Sequence, residues 1–171
     1  MAEGQAEIIV TDTSVLLNFI KVGRMDLVDA CAFTVLVTDH VAAEITDQYP
    51  AQQKQFSAAI NGGVIKQVSI DDPDEVAIFG SLIGSGRLGA GECSAIALAA
   101  NRDYCLAIDD RRAANEAQRT AKNLKILTTQ DLVVSMIHEG LLEICEADAI
   151  KEEWERNHRF SLKIGTFGDV V

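Results

Sequence analysis

The chain has 171 residues, of which 48% are hydrophobic and 24% are charged, values that are ordinary for one soluble globular domain. Its 26 acidic residues outnumber its 15 basic residues and give a net charge of −11. This balance excludes binding to nucleic acid through overall charge, because phosphate contacts need cations. It does not exclude a local basic patch, and the segment 87–125 holds seven of the basic residues.

The expected compartment is the cytoplasm, without membrane association. No apolar stretch approaches the roughly 18 residues that a membrane-spanning helix needs, and the sequence shows no pattern of a secretory signal. The cysteines are widely spaced, which argues against structural zinc or a disulfide framework. We expect four buried free thiols, at Cys31, Cys93, Cys105 and Cys145.

Strands and helices alternate along the chain. In chain order, the patterning predicts a strand at 7–11, helices at 14–22 and 25–32, a strand at 33–38, a helix capped by Asp39 and ending at 47, a helix at 52–60, a strand at 64–70, a helix at 74–83, a glycine-rich loop at 84–91, a helix at 92–101, a strand at 104–108, a helix at 111–121, a strand at 125–128, and helices at 129–138 and 147–157. This alternation predicts an α/β protein with a central parallel sheet in three α/β/α layers.

Several carboxylates are expected at the edge of this sheet where ligands usually bind, the carboxyl ends of the strands. Asp12 follows the first strand, Asp109 and Asp110 follow the fourth, Glu92 opens a helix after the glycine loop, and Glu44 lies in the helix after strand two. Singly, each also suits a helix cap, a helix N-terminus or an exposed helix position. Together they would repel one another without a cation, and hard oxygen ligands suit Mg²⁺ or Mn²⁺.

Four segments in order resemble a known family. They are T-D-T-S-V-L-L at 11–17, D-H-V-A-A-E-I at 39–45, L-G-A-G-E-C-S-A-I-A-L-A at 88–99, and C-L-A-I-D-D-R-R-A at 105–113. The order resembles that of PIN domains, a family that includes the VapC-like ribonuclease toxins of bacterial and archaeal toxin–antitoxin pairs. The resemblance covers residues 7–140.

The resemblance implies a metal-dependent endoribonuclease in which a metal-activated water attacks the phosphodiester in line. By matching position, the acidic quartet that holds Mg²⁺ or Mn²⁺ would be Asp12, Glu44, Glu92 and Asp109, with Asp110 as a possible fifth member. Which of the adjacent aspartates points inward stays open, since side-chain direction is not fixed one residue past a strand end. Ser14 matches a hydroxyl of the family that would hydrogen-bond an acidic ligand or a metal-bound water.

The resemblance also implies partners and a division of the chain. We expect RNA as substrate, with Arg87, Arg111 and Arg112 as candidates for phosphate contacts. A toxin would have an antitoxin protein as partner, and PIN domains commonly form homodimers. Residues 1–145 would form the nuclease domain, and residues 146–171 a helical extension packed on it, anchored by Trp154.

Two alternatives compete with the ribonuclease. A non-catalytic PIN-like module would bind RNA or protein without cleavage. A dinucleotide-binding protein would use Gly84, Gly86 and Gly89, which match G-x-G-x-x-G, with Asp109 20 residues further on. Two points count against the dinucleotide site. The segment before Gly84 fits a helix as well as it fits a strand, and this site would give Asp12 no role.

Overall fold

The computed structural model describes residues 6–171. Within them lie β1 (Ile8–Thr11), α1 (Thr13–Lys21), α2 (Met25–Ala30), β2 (Thr34–Thr38), α3 (Asp39–Gln48), α4 (Pro50–Asn61), β3 (Ile65–Val68), α5 (Pro73–Gly84), α6 (Ala90–Arg102), β4 (Cys105–Ala107), α7 (Arg111–Thr120), β5 (Ile126–Leu127), α8 (Thr129–His138), α9 (Ile144–Asn157) and a final 3-10 turn (Phe167–Asp169). The predicted order of strands and helices is confirmed; the bounds differ at element ends, and the final 3-10 turn has no counterpart in the prediction.

The sheet has the strand order β3-β2-β1-β4-β5, and every neighbouring pair is parallel. Thr11 at the end of β1 pairs with Ala107 at the end of β4. The N–H of Asp12 then donates to the carbonyl of Ala107 over 3.1 Å. The residues that follow these two strands therefore start from the same edge of the sheet.

Helices cover both faces of the sheet, because successive strand residues point to opposite sides. Ile9 belongs to a core shared with α1, α3, α4, α8 and α9. Val10 belongs to a second core shared with α5, α6 and α7. The predicted α/β class with three layers and a parallel central sheet is confirmed.

The C-terminal helix α9 packs into the first core through Trp154, which is fully buried. Its ring makes edge contacts with Phe19 and Phe160, at centroid distances of 6.1 and 5.3 Å. Phe167 in the final turn is also fully buried. The predicted boundary after residue 145 falls inside α9, which begins at Ile144. The division of the chain into two units stays a prediction.

Two local expectations were wrong. Thr38, rather than Asp39, caps α3: its hydroxyl accepts from the N–H of Val41, while the Asp39 carboxylate accepts a hydrogen bond from Gln67. Of the four thiols expected to be buried, Cys93 and Cys105 are buried, whereas Cys31 is half-buried and Cys145 is exposed in the first turn of α9. Across the described residues, none of the helices has the length and apolar character needed to cross a membrane.

Candidate active site

A cavity of about 250 Å³ opens beyond the carboxyl end of β1. Four of the six predicted catalytic residues line it: Asp12, Ser14, Glu44 and Glu92. Thr13, Tyr49 and Gly89 complete its walls. The hydroxyl oxygen of Thr13 is buried there and has no hydrogen-bond partner among residues 6–171. The fold thus brings together side chains from α1, α3 and α6 that are up to 80 residues apart in sequence.

Asp12 is the most buried of these carboxylates, with 2% of its surface exposed. Its Oδ1 accepts from the N–H of Val15 at 2.9 Å, so it caps α1, and its Oδ2 accepts from the hydroxyl of Ser14 at 2.8 Å. Burial raises the pKa of Asp12 to about 7; these two hydrogen bonds oppose the rise, and the charges of Asp109 and Glu92 add to it. Asp12 therefore serves as a helix cap and also places a carboxylate that is costly to ionise in the cavity.

Glu92 is the third residue of α6 rather than its first, because α6 begins at Ala90. Its Oε2 accepts from the N–H of Gly89 at 3.0 Å and so satisfies the backbone donor at the helix start. Burial raises the pKa of Glu92, the Gly89 hydrogen bond opposes this, and the charges of Asp110 and Glu44 add to it. Glu92 and Glu44 are therefore close enough to repel each other across the cavity.

The side chain of Glu44, on α3, lies close to the backbone of α6 at Gly91. A Cβ atom added to Gly91 would lie 2.6 Å from Oε2 of Glu44 and 3.2 Å from the hydroxyl oxygen of Thr13. No side chain fits at residue 91 while Glu44 and Thr13 stay in place. The glycine of the G-E pair at 91–92 is therefore part of how the cavity is built.

Asp109 is held beside the cavity by two residues that sequence reasoning missed, Asn18 and Thr129. Its Oδ1 accepts from the N–H of Thr129 (2.8 Å), and its Oδ2 accepts from the Thr129 hydroxyl (2.6 Å) and from the Asn18 amide (3.3 Å). Burial raises the pKa of Asp109, and the Thr129 hydrogen bonds oppose the rise. Sequence signals existed: Asn18 interrupts an apolar helix run, and Thr129 lies two residues after the end of β5, at the edge of the sheet where Asp12 follows β1.

Asp110 is exposed and caps α7, with Oδ1 accepting from the N–H groups of Arg112 and Ala113 at 2.8 and 2.9 Å. Asp110 and Asp109 affect different carboxylates of the site. The charge of Asp109 raises the pKa of Asp12, whereas the charge of Asp110 raises that of Glu92. Neither aspartate lines the cavity that contains Asp12 and Glu92.

The three arginines predicted to contact phosphates differ in whether they form ion pairs within the chain. Arg87 pairs with Glu116, Nη1 to Oε1, over 3.0 Å. Arg111 and Arg112 are exposed at the start of α7, and the described part of the chain gives neither an ion pair. The positive charge of Arg112 opposes, to a small extent, the rise in the pKa of Glu92. Of the three arginines, Arg112 is the one whose charge acts on a carboxylate of the cavity.

The chemical type of these side chains suits a divalent cation. All the carboxylates offer hard oxygen ligands, and their mutual repulsion and burial would be relieved by a positive charge. The positions of the side chains are looser than a finished metal site. Among residues 6–171, no three or more His, Cys, Asp or Glu side chains are grouped closely enough to hold a metal ion.

A family model described as PIN domain matches residues 8–160, most of the chain. The chain belongs to the PIN domain family. This PIN domain is also similar to solved structures at low identity. One is a PilT N-terminus domain protein from the hyperthermophilic archaeon Sulfolobus solfataricus P2, with 16% identity and a TM-score of 0.49, covering 75% of this chain and 92% of that chain.

A second solved structure is a chain of VapBC2 from Rickettsia felis, bound to a DNA fragment from its promoter. It has 12% identity and a TM-score of 0.49, and covers 71% of this chain and 98% of that chain. A comparison with curated proteins found none that matches this PIN domain.

The dinucleotide alternative does not fit the PIN domain. A dinucleotide site needs its glycine-rich turn directly after a strand. Gly84 is instead the last residue of α5, and Gly86 and Gly89 lie in the loop between α5 and α6. With a helix before the glycines, the turn cannot start from the sheet edge, and we set this alternative aside.

Proposed function

We propose that this PIN domain hydrolyses RNA phosphodiester bonds at the cavity lined by Asp12, Glu44 and Glu92, using Mg²⁺ or Mn²⁺. PIN domains are generally nucleases, and family membership supplies the reaction class. The observation that carries the proposal is the buried Asp12 carboxylate, which faces other carboxylates and has no ion pair among the described residues. Such an arrangement lowers stability and is typical of a functional site.

In this proposal, each residue of the site has a separate role. Asp12, Glu92 and the Asp109–Asp110 pair would hold the cation, and Glu44 would complete the acidic wall. A bound Mg²⁺ or Mn²⁺ would offset the charge of the scissile phosphate and make a water molecule more acidic. Ser14 keeps Oδ2 of Asp12 oriented through its 2.8 Å hydrogen bond. Arg111 and Arg112 would bind phosphates that flank the cleaved bond.

The test is cleavage of a panel of structured and single-stranded RNAs by the full chain, in EDTA, Mg²⁺ or Mn²⁺. Asp12→Asn should abolish cutting, because it removes the charge and keeps the shape of the side chain. Asp29→Asn is the matched control, since Asp29 is exposed on α2 and lies outside the cavity. Absence of cutting by folded wild-type protein under both metals would contradict the nuclease proposal.

A second candidate function is a non-catalytic module that binds RNA or protein. The separation of the carboxylates favours it, because the described residues contain no three such groups placed to hold a metal ion. A filter-binding measurement on the same RNA panel separates the two. Binding that persists in EDTA, without cleavage under either metal and with no change in Asp12→Asn, would identify the binding module.

We further propose that the protein acts in the cytoplasm as the toxin of a toxin–antitoxin pair and forms a homodimer. A partner lysine or arginine that reaches the acidic cavity would block the cation site. Co-expression with the product of an adjacent gene, followed by co-purification and an RNA-cleavage assay, tests the antitoxin. Light scattering on the purified chain tests the homodimer.

A further inference from the structure

A closed set of hydrogen bonds links Asp109 to two neutral side chains. The Nδ2 amide of Asn18 donates to Asp109 Oδ2 (3.3 Å) and to the hydroxyl oxygen of Thr129 (3.1 Å). The Thr129 hydroxyl in turn donates to Asp109 Oδ2 (2.6 Å). Asn18 and Thr129 have 6% and 0% of their surface exposed, so water does not replace these contacts easily.

The donors leave Asp109 with one orientation. An ionised carboxylate has about four lone-pair sites. Oδ2 accepts two hydrogen bonds, and Oδ1 accepts one from the Thr129 N–H. Oδ1 is therefore the atom that keeps a lone pair for another partner. Rotation of the carboxylate would break three hydrogen bonds in a buried place.

Asn18 is itself fixed from the C-terminal helix. The indole Nε1–H of Trp154 donates to the backbone carbonyl of Asn18 over 2.7 Å, and Trp154 is fully buried. A buried indole N–H requires a partner, so this bond ties α9 to the part of α1 that carries the Asn18 amide. The support of Asp109 thus comes from α1, α8 and α9 together.

We infer that Asn18 and Thr129 are positioning residues that hold Asp109 with Oδ1 free to bind the catalytic cation, and that Trp154 of α9 anchors this arrangement. The inference rests on the proposed nuclease function for its catalytic consequence. Its structural part, the fixed orientation of Asp109, can be tested independently of the nuclease function.

Thr129→Val is the central variant, because valine has the shape of threonine, lacks the hydroxyl and keeps the backbone N–H. We expect Thr129→Val to weaken Mn²⁺ binding, measured by electron paramagnetic resonance, by about 10–100-fold, and to lower kcat similarly with KM for RNA unchanged. Thr129→Ser restores the hydroxyl and should recover both. Asn18→Ala tests the same network from α1, should Thr129→Val fail to fold.

Crystal structures of wild type and Thr129→Val without metal provide a readout that is independent of activity. A turned Asp109 carboxylate in the variant supports the inference. An unmoved carboxylate, together with wild-type Mn²⁺ affinity and kcat, overturns it. If wild type neither binds Mn²⁺ nor cuts RNA, the proposed function fails, and the orientation of Asp109 in the two structures alone decides the positioning role.

Trp154→Phe removes the indole N–H and retains an aromatic ring against Phe19 and Phe160. We expect a smaller loss of Mn²⁺ affinity than in Thr129→Val, in the same direction. Loss of stability with unchanged Mn²⁺ affinity would overturn the role of α9, since it would show that the indole serves packing alone.

Discussion

A Cβ atom on Gly91 would stand 2.6 Å from Oε2 of Glu44, closer than non-bonded atoms approach. This relationship joins α6 to α3 at the wall of the acidic cavity. Glu44 lies against the first turn of α6 because residue 91 has no side chain. The glycine that precedes Glu92 therefore determines where a second carboxylate is placed.

Gly91→Ala should reduce RNA cleavage by about 10–100-fold, because displacement of a site group by about an ångström costs this much. Stability should change by about 1 kcal/mol or less, because alanine favours a helix by up to about 1 kcal/mol over glycine and this offsets the shift imposed on Glu44 and on the buried Thr13 hydroxyl, 3.2 Å away. Steady-state cleavage and thermal unfolding measure the two effects. Gly89→Ala is the control: its added atom would lie 3.9 Å from Glu92, an ordinary contact, at a φ of −73°. Equal activities of the two variants would contradict the assignment.

Asp12→Asn should stabilise the metal-free protein increasingly as pH rises. The pKa of Asp12 is about 7 in the folded chain, above its ordinary value of 3.8. Folded protein therefore binds more protons than unfolded protein between these values, and its stability falls as pH rises through that window. Asparagine removes this cost, so the variant should gain about 1–3 kcal/mol at pH ~8 relative to pH ~4. Urea unfolding in EDTA measures it, and a difference that is independent of pH would count against the argument.

Arg102→Ala should destabilise the protein by about 2–4 kcal/mol at neutral pH, because it leaves the Glu75 carboxylate buried without its cation. Glu75 has no exposed side-chain surface, and its Oε2 accepts from Arg102 Nη2 at 3.2 Å. Burial alone would raise the pKa of Glu75, but the hydrogen bonds from Arg102 and Asn101 outweigh it and hold the pKa below its usual value. The stability supplied by this pair is present above the ordinary pKa and disappears as pH falls through the lowered one.

The difference between wild type and Arg102→Ala should therefore shrink as the pH falls below the ordinary glutamate pKa of 4.5. Arg156→Ala is the comparison, since its pair with Glu152 is exposed on both sides and should contribute less than about 0.5 kcal/mol. Guanidinium unfolding at several pH values tests both. An equal cost for the two variants would show that burial of Glu75 does not determine the effect.

Replacing both Arg111 and Arg112 with alanine should raise KM for RNA and reduce its dependence on salt, since each lost phosphate contact lowers the slope of log K against log [salt] by about 0.7 for a single strand. Arg119→Ala is the control, because Arg119 is paired with Glu116. Cleavage over a series of NaCl concentrations measures the slopes. Unchanged slopes in the double variant would remove these arginines from the RNA-binding surface.

The sequence was sufficient for the order of elements because apolar periods and strand-end aspartates are local signals. Asp12, Glu44 and Glu92 were named from short motifs, and the structure brings them to one cavity. The support of Asp109 was out of reach, because Asn18, Thr129 and Trp154 are brought together only by packing of α1, α8 and α9. The predicted cap of α3 is wrong by one residue, because Thr38 and Asp39 are both good caps and the Asp39 carboxylate instead accepts a hydrogen bond from the distant Gln67.

The bond between Trp154 and Asn18 joins residues separated by 136 positions. During synthesis from the N-terminus, the carboxylates and most of the sheet are made well before the indole that anchors α1. A nascent chain that has not reached residue 154 lacks the donor to Asn18, and Asn18 lacks its fixed position beside Asp109. The surroundings of Asp109 are therefore completed only after residue 154 has been made and α9 has packed against α1.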